Sequence, residues 1–173
     1  CTDETLSKKI KMIANHGQQK RYYHEVVGCN SRLDSIQAAV LNIKLKKLDA
    51  YNAARQAVAA FYNKAFADHS AITTPFVAPY STHVYHQYTL QLHGVDRDGL
   101  VAYLAEYKIP SMIYYPVPGH RQDMFASFGQ KEISMPVTDE LTNSVISLPV
   151  HTEMDEEQLD YITTHVLNFI KVY

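Results

Sequence analysis

Residues 28–39 read Gly28-Cys29-Asn30-Ser31-Arg32-Leu33-Asp34-Ser35-Ile36-Gln37-Ala38-Ala39, and they open a run from Ser31 to Ala67 with neither Pro nor Gly. Within it Leu33, Ile36, Val40, Ile43 and Leu48 recur at helical spacing, and Val58, Tyr62 and Phe66 continue the stripe. The spacing slips near Leu48-Asp49, where a kink is expected. At ~1.5 Å per residue the run predicts a rod of roughly 50 Å. That is longer than a lone domain of this size needs, so it reads as a strut between two domains or two subunits. At its entrance Asn30 or Ser31 can serve as an ordinary N-cap. Free backbone N–H groups beside a carboxamide and the Arg32 guanidinium also make a good phosphate site. Both readings are open at this point.

N-terminal to this run, Thr2 or Asp3 can cap a short helix whose apolar face is Leu6, Ile10 and Ile13. Asn15-His16-Gly17 ends it, with Gly17 suited to the left-handed position after the last turn. Residues 18–30 read as a polar connection, and Cys29 as a small buried thiol. The chain begins at Cys1 with neither an initiator Met nor a signal peptide, so it reads as a piece of a longer protein.

C-terminal to the run the pattern changes. Val84 to Leu92 alternates with period two, setting Val84, Tyr88, Leu90 and Leu92 on one face of a strand. Asp96 caps a helix bearing Leu100, Val101 and Leu104, closed by Ile109-Pro110. Ser111–Tyr115 is a short strand candidate, a further helix fits Pro136 to Val145, and Ser147-Leu148-Pro149-Val150-His151 reads as a strand end and turn. Asp155-x-x-Gln158 has the form of a capping box before a helix that turns Leu159, Ile162, Val166 and Phe169 inward. The fold class is therefore α+β: a long helix plus a small, mostly antiparallel sheet flanked by helices.

Composition narrows the function. In 173 residues, 46% hydrophobic and 20% charged with a formal net charge of −2, there is no basic footprint for nucleic acid or an anionic membrane. Apolar stretches such as Ala57–Tyr62 are far too short to span a bilayer. Two cysteines make neither a disulfide scaffold nor a thiolate metal site, so a cytoplasmic protein is expected. His83-x-x-His86 is the nearest approach to metal-ligand spacing, but residues three apart on a strand face opposite ways, and no metal is expected. No glycine-rich phosphate loop is present in the sequence. Ile113-Tyr114-Tyr115-Pro116-Val117-Pro118-Gly119-His120 is the most suggestive loop: two tyrosines and a histidine held by prolines suit stacking on a base or sugar ring, and a buried loop anchor is the alternative.

Taken together these segments resemble the C-terminal part of the DegT/DnrJ/StrS-type sugar aminotransferases, pyridoxal-phosphate enzymes of the aspartate-aminotransferase fold. Residues 2–18 resemble the helix that follows the cofactor-lysine segment. Arg21-Tyr22-Tyr23-His24 followed by Gly28-x-Asn30-x-Arg32-x-x-x-Ile36-Gln37-Ala38-Ala39 resembles the family signature. His86-Gln87-Tyr88-Thr89, Arg97-Asp98, Tyr114-Tyr115-Pro116-x-Pro118-x-His120-x-Gln122 and Ser147-Leu148-Pro149 recur in the family's order. The resemblance implies that residues 1–30 end the large cofactor domain and its connection, and that residues 31–173 are the small C-terminal domain.

It also implies roles. Asn30 matches the residue that reaches across a homodimer interface to the phosphate of pyridoxal 5'-phosphate, Arg32 the position near the sugar-nucleotide diphosphate, and Tyr114, Tyr115 and His120 the loop lining the nucleotide-sugar pocket, with His24 a further candidate there. Tyr114 stands where several relatives have His, and Gly119 where Leu is common. Glutamate is the implied amino donor. The Arg21-Tyr22-x-His24 and Tyr114-Tyr115-Pro116 runs resemble those of relatives acting on UDP-linked 3-keto uronic acid sugars of surface polysaccharide synthesis, with perosamine-type and 4-amino-arabinose-type sugars as open alternatives. The family's Schiff-base lysine precedes the segment where this chain starts, and no lysine here follows a Ser-x-x-x-x-Lys-Asn pattern. No catalytic residue is therefore assigned, and the chain alone is expected to be inactive. The rival expectation is a non-catalytic regulatory or interaction homologue of the same fold.

Overall fold

The Asp3 carboxylate accepts the Leu6 N–H at 3.0 Å and starts α1 (Glu4–Ala14) in the computed structural model, which describes residues 2–124 and 133–171. The chain divides into two units, Cys1–Leu48 and Asp49–Tyr173; Cys1 itself lies outside the described residues.

In the first unit α1 ends as His16 turns left-handed at φ 59°, and the Gly17 N–H returns to the Met12 carbonyl at 2.8 Å. The left-handed position thus falls on His16, one residue before the expected glycine, with Gly17 itself at φ 75°. Gly17 has a second constraint: a Cβ there would overlap the Val26 carbonyl, and one at Gly28 would overlap the Gly17 nitrogen. Instead of a bare connection, residues 18–30 contain a small antiparallel hairpin, β1 (Gln18–Lys20) and β2 (Tyr23–His24). Cys29 is exposed rather than buried. Its backbone supplies the order, accepting from His16 N at 3.0 Å and donating to Ile13 O at 2.9 Å, which leaves the thiol outside.

The expected rod is two helices, α2 (Ser35–Leu45) and α3 (Leu48–Phe66). Asp34, not Asn30 or Ser31, caps α2 by accepting the Ile36 N–H at 2.8 Å. Lys44, Lys46 and Lys47 cluster at its C-terminal end, where positive charge suits the helix dipole. No residue of α2 is buried, and Ile36 is 78% exposed on the predicted apolar face.

The second unit is built on a three-stranded antiparallel sheet ordered β3 (Ile72–Thr73), β4 (Tyr88–Leu92), β5 (Val145–Leu148). Tyr88 pairs with Leu148 and Leu90 with Ile146. These four are buried together with Val58, Tyr62 and Phe66 of α3, Leu100 and Leu104 of α4 (Arg97–Glu106), and Leu159, Ile162, Val166 and Ile170 of α6 (Glu156–Ile170). Phe169 is only partly buried, and Ile170 takes the inward place expected of it. The α6 capping box is present in both directions. The Asp96 cap starts α4, which closes when Lys108 turns left-handed and Ile109 N bonds Leu104 O at 2.9 Å.

β4 begins at Tyr88, four residues later than the alternation suggests, because Tyr85 has φ 45° and cannot continue a strand. Val84 is accordingly exposed. Residues 111–115 contribute a single bridge, Met112 to Ser147, rather than a strand. Alternation then sets Thr89 and Ser147, which are register partners, on the sheet face away from Tyr88 and Leu90, with their hydroxyl oxygens 2.7 Å apart. α5 (Pro136–Ser144) leads directly into β5 as predicted. No helix among the described residues is long and apolar enough to cross a membrane.

Candidate functional site

The sequence-predicted residues fall in both units. His24, Asn30 and Arg32 belong to the first; Tyr114, Tyr115 and His120 belong to the second.

In the first unit Asn30 sits where the chain leaves the hairpin, bridged by its backbone to Asn15. The Arg32 Nε–H donates to Asn30 Oδ1 at 3.0 Å. This bond fixes which end of the carboxamide is oxygen and consumes its acceptor. The Asn30 NH2 and the terminal nitrogens of Arg32 make no hydrogen bond among the described residues. The pair therefore offers only donors, one neutral and one cationic, to whatever meets this exposed loop. Such a surface suits anionic oxygens. At the helix entrance the capping role falls to Asp34 and not to Asn30 or Ser31. His24 Nδ1–H donates to the His16 carbonyl at 2.7 Å, which leaves Nε2 as the outward atom of the ring.

In the second unit the Met112 bridge to β5 anchors the start of the tyrosine loop. Tyr114 and Tyr115 line an open groove of about 470 Å³ with Gln122, Thr89, Thr138 and Thr142. Val145 and Thr89 come from the sheet face opposite the core. The Tyr114 and Tyr115 rings meet edge to face, centroids 5.8 Å apart and planes at 72°, and Tyr115 is 71% exposed. No charged side chain lines the groove among the described residues. It has the size for a small ring system, with aromatic and hydroxyl contacts but no counter-charge for a phosphate. His120 is not among its lining residues. It lies in the 3-10 turn Gly119–Arg121, its Nε2 buried and 3.6 Å from Asp139 Oδ1.

Sequence reasoning missed Thr138, Thr142 and Asp139, which α5 brings to this site. It quoted Gln122 within a motif without giving it a role; its Nε2 donates to Val117 O at 3.2 Å. The expectation of no metal at His83 and His86 rested on a strand at residues 83–86, whereas the strand begins only at Tyr88 and His83 Nδ1 accepts the Tyr85 N–H at 2.9 Å.

A sequence profile of the DegT/DnrJ/EryC1/StrS aminotransferase family matches residues 1–167. The chain belongs to that family. Among DegT/DnrJ/EryC1/StrS relatives, UDP-N-acetyl-3-dehydro-alpha-D-glucosamine 3-aminotransferase of Acidithiobacillus ferrooxidans is 40% identical over 165 residues, covering 94% of this chain and 42% of the relative. UDP-2-acetamido-2-deoxy-3-oxo-D-glucuronate aminotransferase of Pseudomonas aeruginosa is 36% identical over 166 residues, 96% of this chain and 45% of that protein. The crystal structure of S. venezuelae DesV in complex with a ketimine intermediate superimposes with a TM-score of 0.87 at 34% identity, over 96% of this chain and 44% of that one. The chain thus spans less than half the length of these relatives.

Enzymes of this family depend on pyridoxal phosphate. The Asn30 NH2, left free to donate by the Arg32 bond to its oxygen, suits the phosphate end of such a group. The described lysines are all exposed, and none is held in an enclosed cradle where an aldehyde would meet it. The described residues thus offer donors suited to one end of the cofactor and no enclosed lysine for the other.

Proposed function

We propose that this chain is the C-terminal part of an enzyme that moves an amino group from glutamate to the ketone of a UDP-linked 3-keto sugar, for surface polysaccharide synthesis. The balance of the exchange is glutamate plus keto-sugar giving 2-oxoglutarate plus amino-sugar. The observation that carries the reading is the 40% and 36% identity to two aminotransferases whose names specify UDP-linked 3-keto sugars. In the same reading residues 1–30 close the large cofactor domain and residues 31–173 form the small domain.

The geometry supports a division of labour. The uncharged groove lined by Tyr114, Tyr115, Thr138 and Thr142 takes the ring portion of the sugar nucleotide by stacking and hydroxyl contacts. In the first unit, the Arg32 terminal nitrogens are cationic donors suited to a diphosphate. The Asn30 NH2 donates to the cofactor phosphate of a second subunit. A carboxamide does this without adding charge beside Arg32. The exposed apolar side chains of α2, Ile36, Val40 and Ile43, support a homodimer contact along that helix. His24 Nε2 is a candidate contact to the same substrate.

The bound cofactor supplies an aldehyde to carry nitrogen and a pyridine ring that takes up electron density. This chain binds and orients around that chemistry. By itself it is expected to be inactive, because no described lysine sits where it can anchor the cofactor. The test is to express the longer reading frame containing residues 1–173 and assay glutamate-dependent amination of UDP-linked 3-keto sugars. Absence of cofactor absorbance in the near-visible range from that protein would overturn the proposal.

A further inference from the structure

The groove has two walls from separate parts of the second unit. One is the loop carrying Tyr114, Tyr115, Val117, Gly119 and Gln122; the other is α5, through Thr138, Leu141 and Thr142. Asp139 lies beside Thr138 on α5 and meets the loop through Arg121 and His120. Its Oδ2 accepts from the Arg121 guanidinium at 2.7 Å, and its Oδ1 lies 3.6 Å from His120 Nε2. The His120 side chain is only 8% exposed, and its Nε2 is buried without a hydrogen bond. The Arg121 guanidinium is the bonded attachment to that carboxylate, and the buried His120 ring packs beside it with Nε2 3.6 Å away. The loop contributes its own stiffness, since Arg121 N–H donates to Pro118 O at 2.9 Å and Gln122 Nε2 to Val117 O at 3.2 Å.

We propose that Asp139 is a positioning residue for the groove: through Arg121 and His120 it fixes the tyrosine loop at a set distance from α5. His120 then acts through Asp139 and not by touching the ligand. The inference rests on the reading that the groove takes the sugar nucleotide. A held groove binds its ring without first ordering the loop, so loosening the clamp weakens binding and leaves the chemical step alone.

Hydrogen exchange on the full chain tests the clamp without any ligand. In Asp139→Ala the amides of Arg121 and Gln122 are expected to exchange about tenfold faster, while α6 amides keep their protection. Arg121→Ala and His120→Gln should each give part of the increase, and Asp139→Asn, which keeps an acceptor, should fall between. Both partner variants leave the acid in the first turn of α5, so they decide the matter if Asp139→Ala does not fold. Unchanged exchange in the folded variants overturns the proposal. In the longer protein, Asp139→Ala should raise KM for the UDP-linked sugar about threefold to tenfold with kcat unchanged, because only binding order is lost. Faster exchange with unchanged KM, or a loss confined to kcat, also overturns it. Failure of the unsubstituted longer protein to bind UDP refutes the function reading, and the exchange comparison still judges the clamp.

Discussion

The Tyr62 hydroxyl donates to the Pro149 carbonyl at 2.9 Å, joining α3 to the residue that follows β5 across 87 positions of sequence. Tyr62 is fully buried, and its ring lies 4.9 Å from that of Tyr88, whose own hydroxyl donates to Asn63 Oδ1 at 2.7 Å. Two phenols in the core both find acceptors, and burial raises the pKa of each.

Alkaline stability follows from that pair. Unfolded tyrosines ionise near pH ~10, whereas Tyr62 and Tyr88 keep their protons in the folded state well above it. Above that pH the unfolded chain binds fewer protons than the folded one, so stability falls as pH rises. Below it the contribution is fully present. Tyr62→Phe removes one of the two groups and should make the fall shallower by up to about 1.4 kcal/mol per pH unit. At neutral pH the same change costs about 1–2 kcal/mol, since the Pro149 carbonyl loses its donor. Urea unfolding of the two proteins between about pH 8 and pH 11 measures both effects, and parallel curves would refute the first.

Arg55 holds the left-handed turn that delays β4. One of its terminal nitrogens reaches the Tyr85 and Val150 carbonyls, each at 3.1 Å, with His86 O at 3.4 Å. Tyr85 at φ 45° is unfavourable for a bulky side chain, so the turn depends on such an attachment. Arg55→Ala is expected to cost about 2–4 kcal/mol by thermal or urea unfolding. Arg55→Lys should recover less than half of that, because the lysine nitrogen sits one atom nearer the backbone than the Arg55 nitrogen that reaches these carbonyls. Full recovery by lysine would show that charge alone matters there.

How far the sequence could be read depends on whether a residue's role was local. The Asp155-x-x-Gln158 box, the Asp96 and Asp3 caps, and the alternation of Tyr88, Leu90 and Leu92 are set by neighbours a few residues away, and each is found as expected. The run over residues 31–67 breaks between Leu45 and Leu48, close to the kink that the slipped spacing near Leu48-Asp49 marks, but the spacing does not show that the break is complete. The Asp34 cap sets where α2 starts, and the lysines at 44, 46 and 47 gather where it stops. Val84 was drawn into the strand because a positive φ at a tyrosine leaves no mark in the pattern. In the candidate site, the Tyr114-Tyr115 loop and the Asn30/Arg32 pair were legible through their motifs. Thr138 and Thr142 were not, since they reach the groove only through the packing of α5, and neither was Asp139 behind them, which meets Arg121.

Gly28 closes the first unit by close approach. A Cβ at this position would come within 2.6 Å of Ile13 O and 2.7 Å of His16 C, besides overlapping Gly17 N. All three are backbone atoms that cannot rotate away. Gly28→Ala should therefore destabilise this unit by about 2–4 kcal/mol. Hydrogen exchange at His16, Cys29 and Ser31, whose N–H groups bond Cys29 O, Ile13 O and Ala14 O, reads the loss directly. Unaltered protection there would mean that the backbone separates at little cost.

Asn30→Asp separates the structural half of this side chain from its proposed ligand-facing half. The carboxylate is nearly isosteric and still accepts the Arg32 Nε–H that Asn30 Oδ1 accepts now at 3.0 Å. The loop should keep its conformation, with a stronger charge-assisted bond. What changes is the outward atom: two N–H donors become an anionic oxygen, facing the position assigned to a phosphate. Hydrogen bonds to charged groups are worth about 1.5–3 kcal/mol, so affinity for pyridoxal phosphate in the longer protein should fall at least about 10- to 100-fold. Repulsion between like charges adds to that. Asn30→Ser, which keeps a donor but shortens the reach, should lose less. Cofactor titration followed by near-visible absorbance measures the series, and the fold is checked by the far-ultraviolet spectrum of each variant. If Asn30→Asp bound the cofactor as tightly as the parent, Asn30 would have a role in ordering the loop through Arg32 and none at the phosphate.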